Sequence, residues 1–526
     1  PGNTVILLGQ DGSAAHKGSW EKTAAYEAMY KSGMVDVVEK VFAWIGEQSG
    51  AAQNPQIEKL LQDLDGKGAS VAVSIPDAQG PPIPRITVVL RDAAEHTEML
   101  TGMSRGLAGM ARVQLEQKNV KGRSVASGVI PNSPGIEVGL WAEGNHLMIV
   151  AGVDAVNSAI AVADGDTPNL TTNSVWKKYN YDVAGVDTTS VIWLDFKTLR
   201  NKFGQFPLPM PGNKIIDDIL KTAGLQNVDT LVHQYGYKGK ALWSEGHVDI
   251  DGERTGLMAL TDYESMTLAD LPPLPAGASA FSATRLDATL FGNVITQLVR
   301  DGSQFGPPDA SQQVDRIIGD LPQILGFDPQ KDLLDSFGDV ACIYSDANQG
   351  LMGTGAGAMI KVQDSAKLKA TINTIVQRIE AEARGEFRVH RSTKHGRELL
   401  LFQFGPVQAG ALAVDDNWLV AGLMPQTVEA ALMRLDGELE AWTPSTEQAA
   451  AMAELPKSFT SISVGDPRVS WQALIQMAPV IMSVGQVALV EERIIPRDVE
   501  LPVTVADLPP AELVARPLFP NVSVTT

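Results

Sequence analysis

The sequence predicts an α+β protein made by tandem duplication, each copy a mostly antiparallel sheet with helices packed on one face. Three observations carry this reading. A chain of 526 residues exceeds what one hydrophobic core usually supports. Its composition, 44% hydrophobic and 20% charged, can fill more than one core. Four landmarks also recur in the same order, at offsets that stay between 269 and 274 residues.

The first landmark is a proline-led entry into a strand, Pro1-Gly2-Asn3-Thr4-Val5-Ile6 in one copy and Pro275-Ala276-Gly277-Ala278-Ser279-Ala280 in the other. A helix is expected over 33–48, where Val37, Val41, Trp44 and Ile45 fall at helical spacing. The second landmark is an apolar strand, 69–76 or 339–345. It runs into the turn Asp77-Ala78-Gln79-Gly80 or Asp346-Ala347-Asn348-Gln349-Gly350. A further strand follows, 85–90 or 356–362, and then Asp92 or Asp364, placed to cap the free amides of the next helix. Over 366–383 that helix shows Leu368, Ile372, Ile375, Val376 and Ile379 on one stripe.

The third landmark pairs Asn145 to Gly152 with Asn417 to Gly422, each feeding a short helix. Val156 and Ile160 mark the apolar face of one helix, Val428 and Leu432 that of the other. Both end at Asp-Gly, at 164–165 and 436–437, where glycine takes the left-handed cap. The fourth is a closing strand, Thr188 to Ile192 or Phe459 to Ser463. Each module thus reads as strand, helical stretch, strand pair, helix, strand pair, capped helix and strand, over 1–200 and 272–470.

Residues 201–271 differ in texture. Phe206-Pro207-Leu208-Pro209-Met210-Pro211 is stiff and extended, and a short helix is expected at 215–220. Segments 230–237, 240–248 and 256–261 then read as an antiparallel meander. Residues 471–526 start to repeat this plan, with Met477-Ala478-Pro479 and Ile494-Ile495-Pro496, so the meander reads either as a connection or as part of the repeat. They end in an arm over 499–521 with prolines at 502, 509, 510, 517 and 520. The arm is expected to lie extended on another surface and to support self-association by strand addition to a neighbour.

The net charge of −20 argues against nucleic acid and anionic lipid as partners, and Lys and Arg are scattered singly. No window reaches the length of a membrane span. A start at Pro1 with no initiator Met fits a mature exported chain or, equally, a trimmed segment, and the strand-like end at Thr526 suggests that more chain follows.

Chemistry is sparse. Cys342, the single cysteine, lies in an apolar strand and reads as a buried, inert thiol. The histidines are His16, His96, His146, His233, His247, His390 and His395, and none shows metal-ligand spacing. His390 and His395 flank the basic turn Arg391-Ser392-Thr393-Lys394, and His233 and His247 are placed to face each other across a hairpin. Gly353-Thr354-Gly355-Ala356-Gly357 lies between strands with no helix after it, which fits a hairpin and not a phosphate loop. Asp249-Ile250-Asp251-Gly252-Glu253 lacks the further ligands of a calcium loop and reads as an acidic turn. Ser174-Val175-Trp176-Lys177 has the spacing of a serine acyl-enzyme without its companion motifs. Residues with chemistry do not recur between the copies: His146 becomes Trp418, and Cys342 corresponds to an apolar strand position near Val71. Asn169-Leu170-Thr171 and Asn521-Val522-Ser523 are formal glycosylation sequons.

Lys361-Val362-Gln363-Asp364, Leu90-Arg91-Asp92 and the strands Asn145–Gly152 and Asn417–Gly422 resemble an uncharacterised family of bacterial exported or surface-anchored proteins. The resemblance implies an envelope location, periplasmic or cell-surface, and brings no catalytic residue with it. The expected function is a non-catalytic envelope protein acting as a structural, assembly or interaction module. No catalytic residue and no cofactor is expected, and the metal question stays open. Two alternatives stand beside it. One is a binding protein for a small molecule, peptide or glycan in a cleft between modules, using Trp176, Trp193, Trp243 or Trp418. The other is a hydrolase with a dispersed carboxylate site.

Overall fold

The computed structural model divides into two compact units. One comprises Pro1–Asn213, Gln226–Glu253 and Glu500–Asp507; the other comprises Lys214–Leu225, Arg254–Val499 and Leu508–Thr526. The structure describes all residues except 50–54, 77–82, 111, 112, 132, 134, 180–182, 204–220, 305, 308, 351, 352, 384 and 492–501. The expected turn at 77–80, the stretch 206–211, the helix at 215–220 and Ile494-Ile495-Pro496 lie outside the described residues.

The first unit holds a ten-stranded antiparallel sheet. Its strands are β1 (Thr4–Asp11), β2 (Gly68–Ser74), β3 (Arg85–Leu90), β4 (Glu116–Val120), β5 (Arg123–Val129), β6 (Ile136–Glu143), β7 (His146–Val153), β8 (Asp187–Asp195), β9 (Val228–Lys238) and β10 (Ala241–Ile250). They stand in the order β10-β9-β8-β1-β2-β3-β7-β6-β5-β4.

The second unit holds β11 (Ala278–Arg285), β12 (Phe337–Asp346), β13 (Ala356–Val362), β14 (Phe387–Lys394), β15 (Arg397–Phe404), β16 (Val407–Val414), β17 (Trp418–Gly422), β18 (Ser461–Gly465) and β19 (Asn521–Thr525). Their order is β14-β15-β16-β17-β13-β12-β11-β18-β19. Strand for strand, β11 to β19 repeat the arrangement of β1 to β9. The architecture is therefore that of tandem α+β modules.

Alternation sets which residues enter the core, because successive strand side chains point to opposite faces. In β12, Val340, Cys342 and Tyr344 are buried. Helix α3 (Ala155–Ala163) buries Val156, Ala159 and Ile160 against Trp141, Met148 and Val150. Its counterpart α5 (Pro425–Leu435) buries Val428, Ala431 and Leu432 against Met359 and Val420. The opposite faces are covered only in part. Leu60 and Leu64 of α1 (Pro55–Lys67) and Leu100 of α2 (Thr97–Met110) pack near Leu90, Leu140 and Leu147. Leu368, Ile372 and Val376 of α4 (Ser365–Glu382) pack on Leu400, Val414 and Leu419. Helices thus reach both faces of each sheet, one more side than the expected layering.

Several expectations need correction. The strand pair before each capped helix is a four-strand meander, β4 to β7 and β14 to β17. Residues 256–261 form a 3₁₀ helix and not a strand, and β9 and β10 extend the first sheet, which favours the meander as part of the module over a connection. In its described residues the C-terminal arm is not one extended run. Residues 505–507 form a 3₁₀ turn, Ala511–Ala515 a helix with Val514 and Ala515 buried, and β19 pairs with β18 of its own chain. The prolines sit between these elements and punctuate the chain. Asp364 caps α4, its side chain accepting from Lys367 N at 2.9 Å. Asp92 does not cap; it has φ 46°, and its N–H donates to His146 Nδ1 at 3.1 Å. Both Asp-Gly caps form, with Gly165 at φ 78° and Gly437 at φ 75°.

Candidate functional site

The partly covered faces differ between the modules, and register shows where. One row across the first sheet runs Leu194, Ile6, Val73 and Ile86. The equivalent row in the second runs Gly465, Ala280, Ser345 and Ala356. The next row is Ile192, Leu8, Val71, Val88 and Ile149 in the first sheet. In the second it is Ser463, Ser282, Ile343, Ala358 and Ala421. Replacing branched aliphatics by Gly, Ala and Ser removes volume from a surface whose backbone is unchanged in plan. The result is a groove of about 810 Å³ on the second sheet.

Backbone and small side chains make its floor. Phe402, Leu412 and Leu423 stand around it, and Ile343 is 64% exposed within it. Ser463 Oγ donates to Ser282 Oγ at 2.9 Å, so these two hydroxyls satisfy each other inside an apolar lining. The size lies within the range of small-molecule sites, and the chemistry is that of an apolar receptor with few polar anchors.

A second cavity of the same module, of about 730 Å³, is polar. Several of its charges are engaged with one another: Arg285 and Lys361 both bind Asp339, the latter at 3.0 Å, and Thr289 Oγ1 donates to Asp335 at 2.7 Å. Asp287 on its wall caps the helix Ala288–Ser303.

A polar corner recurs in both modules at the first hairpin of the meander. In the first, Arg123 spans Glu143 (2.5 Å) and Asp164 (2.7 Å), while Lys121 Nζ lies 2.7 Å from Asp166 and 3.3 Å from Asp164. In the second, Arg397 spans Asp415 (2.6 Å) and Asp436 (2.8 Å to each oxygen). Arg123 holds Glu143 and Asp164 below the usual carboxylate range, and Arg397 does the same to Asp436. Chemistry-bearing residues therefore do recur. Sequence reading missed them because the arginines sit outside the four landmarks and their partners come from a strand end and a helix end.

The remaining candidates separate. Cys342 is 1% exposed, and burial pushes its thiol up to about 12. His233 stands opposite Gly246 and His247 opposite Val232, which puts the two rings on opposite faces. His247 stacks on Tyr179, with ring centroids 5.0 Å apart. Asp249 receives Tyr179 and Lys178, and Asp251 lies 3.3 Å from Lys197, so the acidic turn is held by lysines and a phenol. Ser174 and Lys177 are both exposed on the short helix Ser174–Tyr179. Gly353, at φ 80°, lies in the β12–β13 connection, as a hairpin requires. Trp176 and Trp193 pack edge to face in the core, 5.6 Å apart, and Trp418 packs against the second core.

Among the described residues, two groups bring metal-ligating atoms together: Asp63, Glu95 and His96, and His395, Asp436 and Glu438. In the first group His96 Nε2 meets Asp63 at 2.6 Å, and Lys59 and Lys67 take Glu95 at 3.1 and 3.4 Å. Among the described residues no helix is long and apolar enough to cross a membrane. Compared with protein-family models, curated proteins and solved structures, the chain matches none.

Proposed function

We propose that the chain is a non-catalytic binding and interaction protein whose second module receives the apolar body of a small ligand on its open sheet face. The groove carries this reading. It is a large difference between two faces of the same plan, and its lining offers area and few hydrogen bonds. A ligand that covers an aliphatic side chain such as Ile343 gains about 1.5–3 kcal/mol for each one fully removed from water. An exported, envelope location belongs to the same reading and rests on the family resemblance. Association with other proteins, or with further copies of the chain, remains part of it.

The test uses an uncharged apolar fluorophore, N-phenyl-1-naphthylamine. Saturable binding at one site is expected, and Ala358→Phe, which fills the floor between Ile343 and Ala421, is expected to weaken it at least tenfold while the protein stays folded. Fluorescence that rises without saturation, or that is indifferent to Ala358→Phe, would sink the reading.

A further inference from the structure

We propose that His395, Asp436 and Glu438 form a binding site for a divalent transition-metal ion of the zinc class. One ligand atom from each lies within 4.8 Å of the others. An imidazole nitrogen with two carboxylate oxygens is a donor set that such ions take, with water completing the shell.

The first module supplies an independent indication of what belongs there. At the equivalent corner Lys121 places its ammonium between Asp164 and Asp166. Asp436 stands where Asp164 does, and Glu438 where Asp166 does, each after the same capped helix. His395 occupies the place of Lys121, and both residues take φ 48° before a left-handed glycine, Gly396 or Gly122. The backbone φ is the same, and an imidazole stands where the first module places an ammonium.

Charge agrees. The first corner sets the carboxylates of Glu143, Asp164 and Asp166 against Arg123 and Lys121. The second sets four, Asp415, Glu429, Asp436 and Glu438, against Arg397 and Lys394. Four carboxylates against two permanent cations leave an excess of two negative charges, which a divalent ion would match.

The supporting contacts suit a ligand site. Arg397 grips Asp436 through both oxygens at 2.8 Å and fixes its plane, and each oxygen keeps a lone pair for a metal. His395 Nδ1 lies 3.7 Å from Glu438 and its Nε2 3.8 Å from Glu429, longer than hydrogen bonds, so the ring is placed without being tied. Its side chain is 20% exposed, which leaves a path for the ion.

The experiment is titration of the whole chain with Zn²⁺ by calorimetry, and with Co²⁺ by visible absorption, each alone. One equivalent is expected, with Ca²⁺ and Mg²⁺ binding more weakly because a nitrogen donor suits them poorly. His395→Lys recreates the first module's corner and is expected to fold and to weaken Zn²⁺ binding at least tenfold; Glu438→Gln should weaken it too. His96→Gln, at the other group, should leave it unchanged. No Zn²⁺ binding to the wild-type chain, or binding that survives His395→Lys, would overturn the proposal.

Discussion

On the face that meets α3 or α5, the two modules keep most of their bulk: Met148 and Val420, Val156 and Val428, and Ile160 and Leu432 are all buried, and only Gly422, in the place of Val150, departs from this among these helix contacts. On the opposite face they part, with Leu194, Ile6, Val73 and Ile86 in the first against Gly465, Ala280, Ser345 and Ala356 in the second. The packed face must keep its volume because interiors are close-packed and every lost methylene is felt. The open face is under no such constraint. A duplicated module can therefore gain a groove there without losing its core, and this is what separates the two copies.

The largest expected effect tests the shared side. Ile160→Ala and Leu432→Ala, each at a fully buried helix position, should each cost about 2–5 kcal/mol, read by denaturant unfolding. Hydrogen exchange should locate the loss of protection in the mutated module. Equal loss in both modules from either substitution would break the comparison as drawn.

A smaller effect is expected from exchanging the open faces. Ser282→Leu, which gives the second sheet the residue of Leu8, should fill part of the groove and reduce apolar-probe affinity several-fold. Leu8→Ser in the first sheet should cost only about 1 kcal/mol, since Leu8 is 47% exposed.

The corners predict a pH effect. Glu143, Asp164 and Asp436 are depressed by their arginines, so their contribution to stability is fully present above the unfolded carboxylate values near pH 4. It is lost as pH falls through the lower folded values. Arg123→Met and Arg397→Met should each flatten the fall of melting temperature on acidification; an unchanged slope would show that the corners contribute nothing. Smallest in effect on the fold, but plain to read, is Cys342. Its buried thiol should react with a thiol reagent far more slowly in the native chain than in denaturant.

The duplication was legible because strands, turns and caps leave local signatures. Residues 85–90 and 356–362 were read to the residue, and both Asp-Gly caps formed. The four-strand meanders were not fully legible, since β4 is exposed along most of its length and β14 carries Arg388, His390, Arg391 and Lys394, so neither shows an apolar period. The groove was invisible for another reason: it arises from residues on eight strands that only register brings side by side. His395, read as part of a solvated basic turn, gained its partners Asp436 and Glu438 only through the return of the following helix.

The position of β1 and β11 has a kinetic consequence. Each is an inner strand, flanked by the early β2 or β12 and by the late β8 or β18. A chain emerging from the ribosome can build one flank of the strand while the other waits for a segment more than 170 residues away. Closing so long a loop is slow, and an uncovered inner edge pairs readily with a stranger. Nascent or truncated chains that stop before β8 or β18 should thus be the aggregation-prone species, and a chaperone that shields β1 or β11 until its late partner arrives should raise the yield of folded protein.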